Sequence, residues 1–591
     1  MSRILLAAAL VALAGCSASG VDGGSSGSGS QGTTAGSGST STGATGSSTA
    51  SSSSSGGQST GSLLDGVAPW SYDGGDPCEP HPPAAVVDLR MPTSTRTVPV
   101  NAGDDLQAAL DAAQPGDELV LAAGATFTGN FELQPKSGNG WVVVRTSDLS
   151  SLPPLGQRID PTQVASHLPK ILTNNSVPAI SAQSGAAFWR FVGVEVGFAP
   201  GVATNYNLVL LGDGTQTVEA DLPHHIVFDR SWIHGNDTGD LRRGITLNGD
   251  SIGIVGCDVS NFHEVGGDSQ ALAGWNGGGP FTVLNNYLEG AAETVLFGGA
   301  DPKVPNLVPS DIALVHNTLS KRLTWKSDDP SYAGVNYVVK NTLELKNARR
   351  VWIEGNVIER SWPMGQVGYL LLFTPRNQEG TAPWSGVTDV TVVNNVLRHG
   401  AGGTNLEGTD DEQPSQPVAR IRVWNDLFYD LGNATWGNSP AFQFLTGGQG
   451  GVSGASCIDF QHLTADNGRS NLGAIGDSGT IADAFTFSNN IVSYGQYGFH
   501  SPLGEGTAGL NAFFTHWAFA SDVIYGDGTD PLASPSAYPD TNQFAASLEA
   551  VGFVDAASAD YHLASTSPYK ATASDGTDPG ADLDAIDAAV Q

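Results

Sequence analysis

Basic residues are concentrated in one stretch of an otherwise acidic chain. The 591 residues carry 26 Lys and Arg against 59 Asp and Glu, a formal net charge of -33. Positions 321–360 hold a basic island, where an anionic ligand would bind in so acidic a protein. Its members are Lys321, Arg322, Lys326, Lys340, Lys346, Arg349, Arg350 and Arg360. The alternative is a solvated face on which they pair with Asp328, Asp329, Glu344, Glu354 and Glu359.

Within the island, the hexapeptide TLELKN at 342–347 alternates in the manner of a β-strand. Leu343 and Leu345 share one strand face, and Glu344 and Lys346 share the other. Because the leucines must face a core, the two charged side chains are predicted to point into a groove enclosed by insertions. A lysine beside carboxylates in such a groove can acquire a pKa in the working range of a base. The catalytic candidates are Lys340, Glu344, Lys346 and Arg376.

A repeating architecture is needed to bring these distant residues together. A step of the form apolar-x-Asn-Asn recurs at intervals from 26 residues (231 to 257) to 39 residues (317 to 356), which indicates a solenoid. Short strands and 76 glycines predict an all-β solenoid of about ten coils. Stacked Asn side chains would hydrogen-bond along the column, so we interpret them as structural. The column reads Ser231, Cys257, Asn286, Asn317, Asn356, Asn395, Asp426, Leu463 and Asn490.

Three consecutive stretches, 268–272 (DSQAL), 282–288 (TVLNNYL) and 296–301 (LFGGAD), carry a family resemblance. In this order they resemble the strands of the pectate-lyase-like superfamily. The resemblance covers roughly residues 100–570 and implies a single-stranded, right-handed parallel β-helix. It departs from true pectate lyases at Glu293, where that family has a functional Lys, and in lacking an R-x-P-R motif. The activity must therefore be argued from the site.

Two reactions and one non-catalytic role suit the candidate residues. In a polysaccharide lyase, Lys340, Lys346 or Arg376 would abstract the proton α to a uronate carboxylate while a cation neutralises the enolate. In a glycoside hydrolase, Asp410 and Glu344 would be the acid and base. The order of His399-Gly400 and Asp410-Asp411 does not follow the polygalacturonase pattern, so the lyase is preferred. A surface adhesin or glycan-binding scaffold remains the alternative without catalysis.

Further residues are predicted to hold the substrate or an ion. A calcium ion is the one cofactor considered, with Glu293, Asp301, Asp410 and Asp411 as ligands. The predicted substrate-binding residues are Lys321, Arg322, Trp325, Lys326 and Asn377. Aromatic residues in loops that could stack on sugars are Trp275, Trp325, Tyr332, Tyr337, Trp362 and Trp384. The partner is expected to be an anionic or neutral polysaccharide, and the acidic charge speaks against nucleic acid.

The cysteines suggest no disulfide framework, because four in so long a chain are too few. Cys257 and Cys457 fall on predicted core strands many coils apart, so we expect both to be buried free thiols. Cys16 is different, because it ends an apolar run after Leu13-Ala14-Gly15. That ending resembles a bacterial lipoprotein processing box and implies a lipid anchor on Cys16, in the outer membrane where two membranes are present.

Composition then divides the chain into five parts. The predicted parts are a signal peptide (1–16), a disordered Ser/Gly/Thr-rich tether (17–62), an extended lead-in (63–100), the β-helix (101–505) and closing coils with an acidic tail (506–591). A capping helix is predicted at the start of the β-helix, with Asp104 as its N-cap and Leu106 and Leu110 on its apolar face. We expect a monomer whose folded part lies outside the cytoplasm.

Overall fold

Alternating inward-facing apolar residues build the chain into a stack of coils. The computed structural model describes residues 62–447, 454–468, 472–475, 481–528 and 535–591. Each coil contributes one strand to each of three long sheets, and successive coils pair in parallel. Because such parallel connections turn right-handed, the fold is a right-handed parallel β-helix, as predicted. Within the described ranges, twelve coils, from the one starting at Asp117 to the one starting at Ala482, have a strand in all three sheets, more than the ten or so expected.

The three sheets are numbered in the order in which the chain visits them. The first sheet comprises Arg96–Val100, Asp117–Leu121, Val142–Thr146, Ala187–Val192, His224–Asp229, Asp250–Val255, Phe281–Leu284, Ser310–Val315, Ala348–Glu354, Val387–Val393, Ala419–Trp424, Ser456–Gln461, Ala482–Ser488, Phe514–Thr515 and Ala518–Ala520. The second sheet comprises Thr126–Thr128, Lys170–Thr173, Glu195–Phe198, Trp232–His234, Asp258–Phe262, Tyr287–Gly290, Thr318–Ser320, Val357–Glu359, Val396–Gly400, Leu427–Leu431, Thr464–Ala465, Ile491–Ser493, Val523–Tyr525 and Gln543–Ala545. The third sheet comprises Phe131–Leu133, Ile180–Ala182, Val209–Leu211, Arg243–Leu247, Gln270–Gly274, Glu293–Phe297, Leu343–Leu345, Tyr369–Phe373, Gly402–Glu407, Phe442–Leu445, Gly473–Ile475, Phe499–Ser501 and Gly504–Glu505.

The remaining elements are short. Two small strand pairs join Thr204–Asn205 to Asp240–Leu241 and Phe553–Asp555 to Asp560–Leu563. The α-helices are Leu106–Ala112, Pro161–Val164, Thr507–Phe513, Leu548–Val551 and Leu583–Val590. The 3-10 helices are Leu63–Asp65, Leu149–Ser151, Ala165–His167, Glu219–Asp221, Leu323–Trp325, Pro535–Ala537 and Ala556–Ser558. None of the helices in the described part of the chain is both long and apolar enough to cross a membrane.

A ladder of side-chain amides runs along the turn between the first and second sheets. The Asn286 backbone N–H donates to Asn317 Oδ1, and the same contact repeats from Asn317 to Asn356 and from Asn356 to Asn395. The ladder then passes to Asp426, whose Oδ1 accepts from Asn395. Each Asn therefore satisfies backbone and side-chain donors of the preceding coil. This confirms the structural interpretation of the column.

The first helix starts one residue later than predicted. Asp105 is its N-cap and accepts from the Ala108 N–H, whereas Asp104 accepts from the Asn101 N–H in the preceding turn. Leu106 and Leu110 are buried in the main core, as predicted. That the helix covers the end of the solenoid stays a prediction.

The predicted lead-in is a strap across the outer face of the first sheet. Cys78 forms a disulfide with Cys457, 379 residues later in the sequence. From there the strap passes Asp389, which accepts from the His81 N–H, and Thr282, whose hydroxyl accepts from the Val87 N–H. The expectation of a free thiol at Cys457 is therefore wrong, because the strap carries its partner to that coil. Cys257 is a buried free thiol, as predicted.

The C-terminal segment also folds back along the solenoid. Within the part predicted as closing coils, the strands Phe553–Asp555 and Asp560–Leu563 pair with each other in antiparallel fashion and do not extend a coil. Beyond them, the Asp582 N–H donates to Asn425 Oδ1, and Ile586 of the last helix packs in a cluster with Leu427. The signal peptide, Cys16 and the tether up to residue 61 lie outside the described residues.

Candidate functional site

Polar side chains occupy adjacent strands of the third sheet and the loops at their ends. Arg243 stands opposite Gln270, and Gln270 stands opposite Glu293, in consecutive parallel pairings. Residues in register on neighbouring strands lie about 4.8 Å apart, so they form one continuous surface. We call this surface the polar strip; its members are Arg242, Arg243, Glu264, Asp268, Gln270, Glu293, Lys321, Lys340, Asn341, Glu344 and Lys346.

Glu293 is the centre of the polar strip. Its Oε2 accepts a 2.7 Å hydrogen bond from Gln270, and its Oε1 lies 3.7 Å from the Lys340 ammonium. Lys340 also contacts Asp268 Oδ2 at 2.6 Å. Burial, with help from Glu344 and Asp268, raises the pKa of Glu293 to about 7, against the pull of Lys340. Glu293 therefore changes charge near neutral pH.

Lys340 has the opposite character from a poised base. Burial alone would lower its pKa, but Glu293 and Asp268 outweigh burial and hold the pKa of Lys340 above its usual value. The ammonium is therefore a persistent positive charge at neutral pH. Lys340 suits the binding of an anion better than the proton abstraction for which the sequence suggested it.

Glu344 and Lys346 take the strand positions predicted for them. Leu343 and Leu345 are buried in the main core, so Glu344 and Lys346 point away from it. Lys346 Nζ lies 3.0 Å from Glu344 Oε2, and Asn341 Nδ2 donates to Glu344 Oε1 at 2.5 Å. Glu344 is itself 0% exposed, whereas the Lys346 side chain is 15% exposed. Lys346 is the member of this pair that a ligand can contact.

Lys321 donates hydrogen bonds to backbone carbonyls next to the polar strip and does not face solvent. Its ammonium donates to the carbonyl oxygens of Gly290, Ala292 and Asn341 at 2.9 to 3.0 Å, and the residue is 0% exposed. Burial lowers the pKa of Lys321 to about 7, although Glu293 and Glu344 oppose the shift. The prediction that Lys321 contacts substrate is wrong, because no ligand can reach it.

Aromatic residues anchor the insertion between the strands Thr318–Ser320 and Leu343–Leu345. Trp325 and Tyr337 of this insertion and Trp362 of the following coil are buried in one apolar cluster that also contains Ala291 and Trp436. Stacking of these three on a sugar is therefore excluded by their burial, and Trp325 is not a substrate-binding residue. Lys326 pairs with Asp328, and Arg322 donates to Glu289 Oε2 at 2.6 Å. Both cations lie in ion pairs that hold the insertion.

The other loop aromatics lie in separate places. Trp384 donates its indole N–H to the Leu307 carbonyl, and the Tyr332 hydroxyl donates to Asn336 within its own loop. Trp275, by contrast, lies beside the polar strip, with its ring centroid 5.2 Å from the Arg243 guanidinium. Of the six aromatics considered, Trp275 is the one that the structure brings next to the strip.

Arg376 forms a second polar group on the following coils. Its guanidinium donates to Glu407 Oε2 at 2.9 Å and lies 3.6 Å from Asp410 Oδ1 and 3.3 Å from Asp411 Oδ1. Burial raises the pKa of Glu407 to about 7, with Arg376 opposing. The Arg376 backbone N–H donates to the Lys346 carbonyl, so the two polar groups adjoin. The predicted convergence of Lys340, Glu344, Lys346 and Arg376 is thus partial.

Asn377 has a structural role. Its side chain accepts from the Ala382 N–H and donates to the Pro414 carbonyl, and its backbone N–H donates to Asp410 Oδ2. These bonds close the loops that follow two strands of the third sheet. Asn377 is 1% exposed, so its predicted contact with substrate is wrong.

The four carboxylates proposed as calcium ligands are dispersed. Glu293 belongs to the polar strip, and Asp410 and Asp411 belong to the Arg376 group. Asp301 is held elsewhere, because its Oδ2 accepts from the N–H and hydroxyl of Thr381. In the described ranges, no group of three or more His, Cys, Asp or Glu side chains could hold a metal ion. These residues do not fit a calcium ion.

Sequence reasoning missed a cationic and aromatic end of the polar strip. The Arg242 guanidinium lies 4.5 Å from the ring centroid of Tyr206 and donates to Glu264. Arg243 lies between the rings of Tyr206 and Trp275 and donates to Gln270 Oε1 at 3.0 Å. Burial and the neighbouring Arg242 lower the pKa of Arg243 to about 10. In the sequence, this end of the strip could have been found from the adjacent residues Arg242 and Arg243, which lie one coil before the DSQAL stretch.

A cavity of about 270 Å³ lies apart from the polar strip. It is lined by Arg158, Asn285 and His316 near the amide ladder and by Val590 of the last helix. None of its lining residues belongs to the polar strip. This cavity and the polar strip are therefore separate.

The chain is similar to several solved polysaccharide lyases at low sequence identity. No family model matches the sequence, and no curated protein matches it. A PL6 family alginate lyase, AlyGC, aligns at 13% identity and a TM-score of 0.45, over 76% of this chain and 53% of that one. A pectate lyase aligns at 11% identity and a TM-score of 0.30, over 83% and 96%.

A mannuronic acid specific family 6 lyase from human gut microbiota aligns at 12% identity and a TM-score of 0.35, over 76% and 92%. The chain thus spans about half the length of the alginate lyase AlyGC. At these identities the activity has to be argued from the side chains of this chain.

Proposed function

We propose that this protein acts on an anionic, uronate-containing polysaccharide that binds along the polar strip. The observation that carries the proposal is a cluster of cations that are not fully buried. Arg242, Arg243, Lys340 and Lys346 lie on neighbouring coils in a chain whose net charge is -33. Cations gathered on one face of an acidic protein offer a local binding site for anionic groups.

β-Elimination is the cleavage that suits such a site. Lys340 would neutralise the uronate carboxylate and so acidify the proton on C5. A base, for which Lys346 is the exposed candidate, would take that proton as the C4–O4 bond breaks and a C4=C5 double bond forms. The departing O4 would take a proton from water, because Glu293 is 0% exposed and cannot reach the substrate. The products are an unsaturated sugar and a new chain end.

The test compares variants on a panel of uronate and neutral polysaccharides. Ultraviolet absorbance reports unsaturated products, and a separate binding assay reports affinity. Lys340→Gln and Lys346→Gln should each weaken binding of uronate polymers by roughly tenfold or more, the loss of a charge-assisted contact. Lys570→Gln is the matched control, because Lys570 is an exposed lysine paired with Asp578 at the C-terminal end. Equal binding by all three variants would contradict the proposal.

A glycan-binding role without cleavage is the second candidate. Lys340 and Lys346 are both ion-paired, and Lys340 keeps its proton at neutral pH, so Lys340 suits anion binding without proton abstraction. Binding of uronate polymers with no unsaturated product and no new reducing ends would favour this role. New reducing ends without unsaturation would instead indicate hydrolysis. No observation favours hydrolysis, since Glu344 and Asp410 are both buried in hydrogen bonds.

The proposal places the folded part outside the cytoplasm, tethered by a lipid on Cys16, and acting as a monomer. It rests on the Leu-Ala-Gly-Cys ending of the first apolar run, together with the Ser/Gly/Thr-rich stretch that follows. Metabolic labelling with a radioactive fatty acid tests it. Label should enter the full-length chain and be lost in Cys16→Ala; label retained by that variant would contradict the anchor.

A further inference from the structure

The polar strip has an end that the cleavage mechanism does not use. Tyr206, Arg242, Arg243 and Trp275 lie on strands or loops two to four coils before the coil that holds Glu344 and Lys346. Tyr206 is 57% exposed, among the most exposed large hydrophobic side chains in the described part of the chain. An exposed aromatic ring with an arginine stacked on it is typical of a ligand-binding surface.

Arg243 lacks the carboxylate partner that most arginines in this protein have. Among the described residues, no carboxylate oxygen lies within 4.0 Å of its guanidinium, which donates to the Gln270 amide. Arg242 is paired with Glu264 at 2.7 Å, and Lys340 is paired with Asp268 and Glu293. A largely desolvated guanidinium without a counterion favours an anion, and its planar fork matches a carboxylate.

We propose that Tyr206, Arg242, Arg243 and Trp275 form a second subsite, which binds a different uronate residue from the one held by Lys340. Arg243 and Arg242 receive the carboxylate, and the exposed face of Tyr206 packs against the sugar ring. This inference rests on the proposed function, because it extends the same ligand along the same surface.

The spacing of the two ends sets the length of the ligand. The strand that begins at Arg243 lies one coil step from Gln270 and two coil steps from Glu293, and the Lys340 ammonium lies 3.7 Å from Glu293. At about 4.8 Å per step, the two anion sites are about 5–10 Å apart. A single uronate carries only one carboxylate and cannot fill both sites, so the polysaccharide runs across the strands, along the solenoid axis. Affinity should therefore rise with chain length until both ends are filled.

The experiment measures the binding of oligouronates of increasing length to the full chain. For the wild-type protein we expect affinity to rise steeply once the oligomer spans both ends. Tyr206→Ala and Arg243→Gln should remove about tenfold of that gain for long oligomers and leave the shortest ones unchanged. Lys340→Gln should weaken every length. Tyr206→Ala keeps the test valid if Arg243→Gln fails to fold, since the Tyr206 ring is exposed.

The outcomes separate the two proposals. If oligouronates bind and the length dependence of both variants equals that of wild type, the second subsite is wrong and the proposed function stands. If no oligouronate of any length binds the wild-type protein, both the proposed function and the second subsite are wrong. Loss of affinity for short and long oligomers alike in Tyr206→Ala would also overturn the subsite, because it would place Tyr206 at the central site.

Discussion

Replacing Asp426 by Asn should make the protein more stable, and increasingly so as the pH rises. Asp426 occupies a ladder position that Asn fills on the four preceding coils, and it is 0% exposed. Its Oδ1 accepts from the N–H and Nδ2 of Asn395, but its Oδ2 has no hydrogen-bond partner among the described residues. Burial raises the pKa of Asp426 to about 8, although the Asn395 bonds oppose the shift. The folded chain therefore holds this carboxyl as the neutral acid.

The magnitude follows from the linkage of proton binding to folding. The unfolded carboxyl loses its proton near its ordinary value of 3.8, whereas the folded one keeps it to about pH 8. Between those values the folded state binds more protons, so stability falls as pH rises, by about 1.4 kcal/mol per pH unit. From about pH 5 to about pH 8, Asp426 alone costs the wild-type protein about 4 kcal/mol. Asp426→Asn removes that loss and keeps the acceptor for Asn395.

The assay is urea unfolding of wild type and Asp426→Asn at several pH values in that range. The advantage of the variant should be small at the acidic end and grow steadily toward the alkaline end. Asp522→Asn should behave in the same way, because Asp522 is a second buried ladder acid whose pKa is raised by burial. Glu412→Gln, at an exposed position, is the control and should show no such trend. A difference between Asp426→Asn and wild type that does not change with pH would refute the reasoning.

Three further outcomes follow from the structure. Uronate binding should weaken by roughly tenfold as pH rises through about 7, because Glu293 ionises beside Lys340. Glu293→Gln should abolish this pH dependence, which titration calorimetry at about pH 6 and about pH 8 measures. An unchanged pH dependence in the variant would contradict the role of the Glu293 charge. Cys457→Ser should free the strap and lower the free energy of unfolding by about 2–4 kcal/mol. Limited proteolysis of the variant should therefore cut near residues 70–90 earlier than it cuts the solenoid. Equal resistance of variant and wild type would show that the disulfide does not hold the strap. Lys321→Met should leave the carbonyls of Gly290, Ala292 and Asn341 without their hydrogen-bond donor. The free energy of unfolding should fall by about 3 kcal/mol or more, and the midpoint of thermal unfolding should fall with it. Lys570→Gln is the control, and an unchanged midpoint in Lys321→Met would contradict the structural role of Lys321.

The coil architecture was predictable because it depends on short sequence patterns that repeat in every coil. The Asn column predicted which residues stack, and the alternation in TLELKN predicted that Leu343 and Leu345 face the core. Both features depend on positions within a single strand or turn. The same logic extends the ladder to Asp522, which accepts from the Asn490 N–H.

The burial of the basic island was not predictable in this way. Whether Lys321 and Trp325 face solvent depends on how a long insertion packs on a neighbouring coil, and no periodicity within the insertion records that. The Cys78–Cys457 disulfide was missed for a similar reason, since it depends on the path of a strap over several coils. Arg243 was overlooked because its significance comes from its neighbours Gln270 and Trp275 on the next coil.

A crystal structure of the protein with a bound oligouronate tests the central claim most directly. The account predicts an oligomer lying across the strands of the third sheet, with one carboxylate at Lys340 and another at Arg243. A ligand seated elsewhere, as in the cavity beside Arg158 and His316 or on the face covered by the strap, would contradict it.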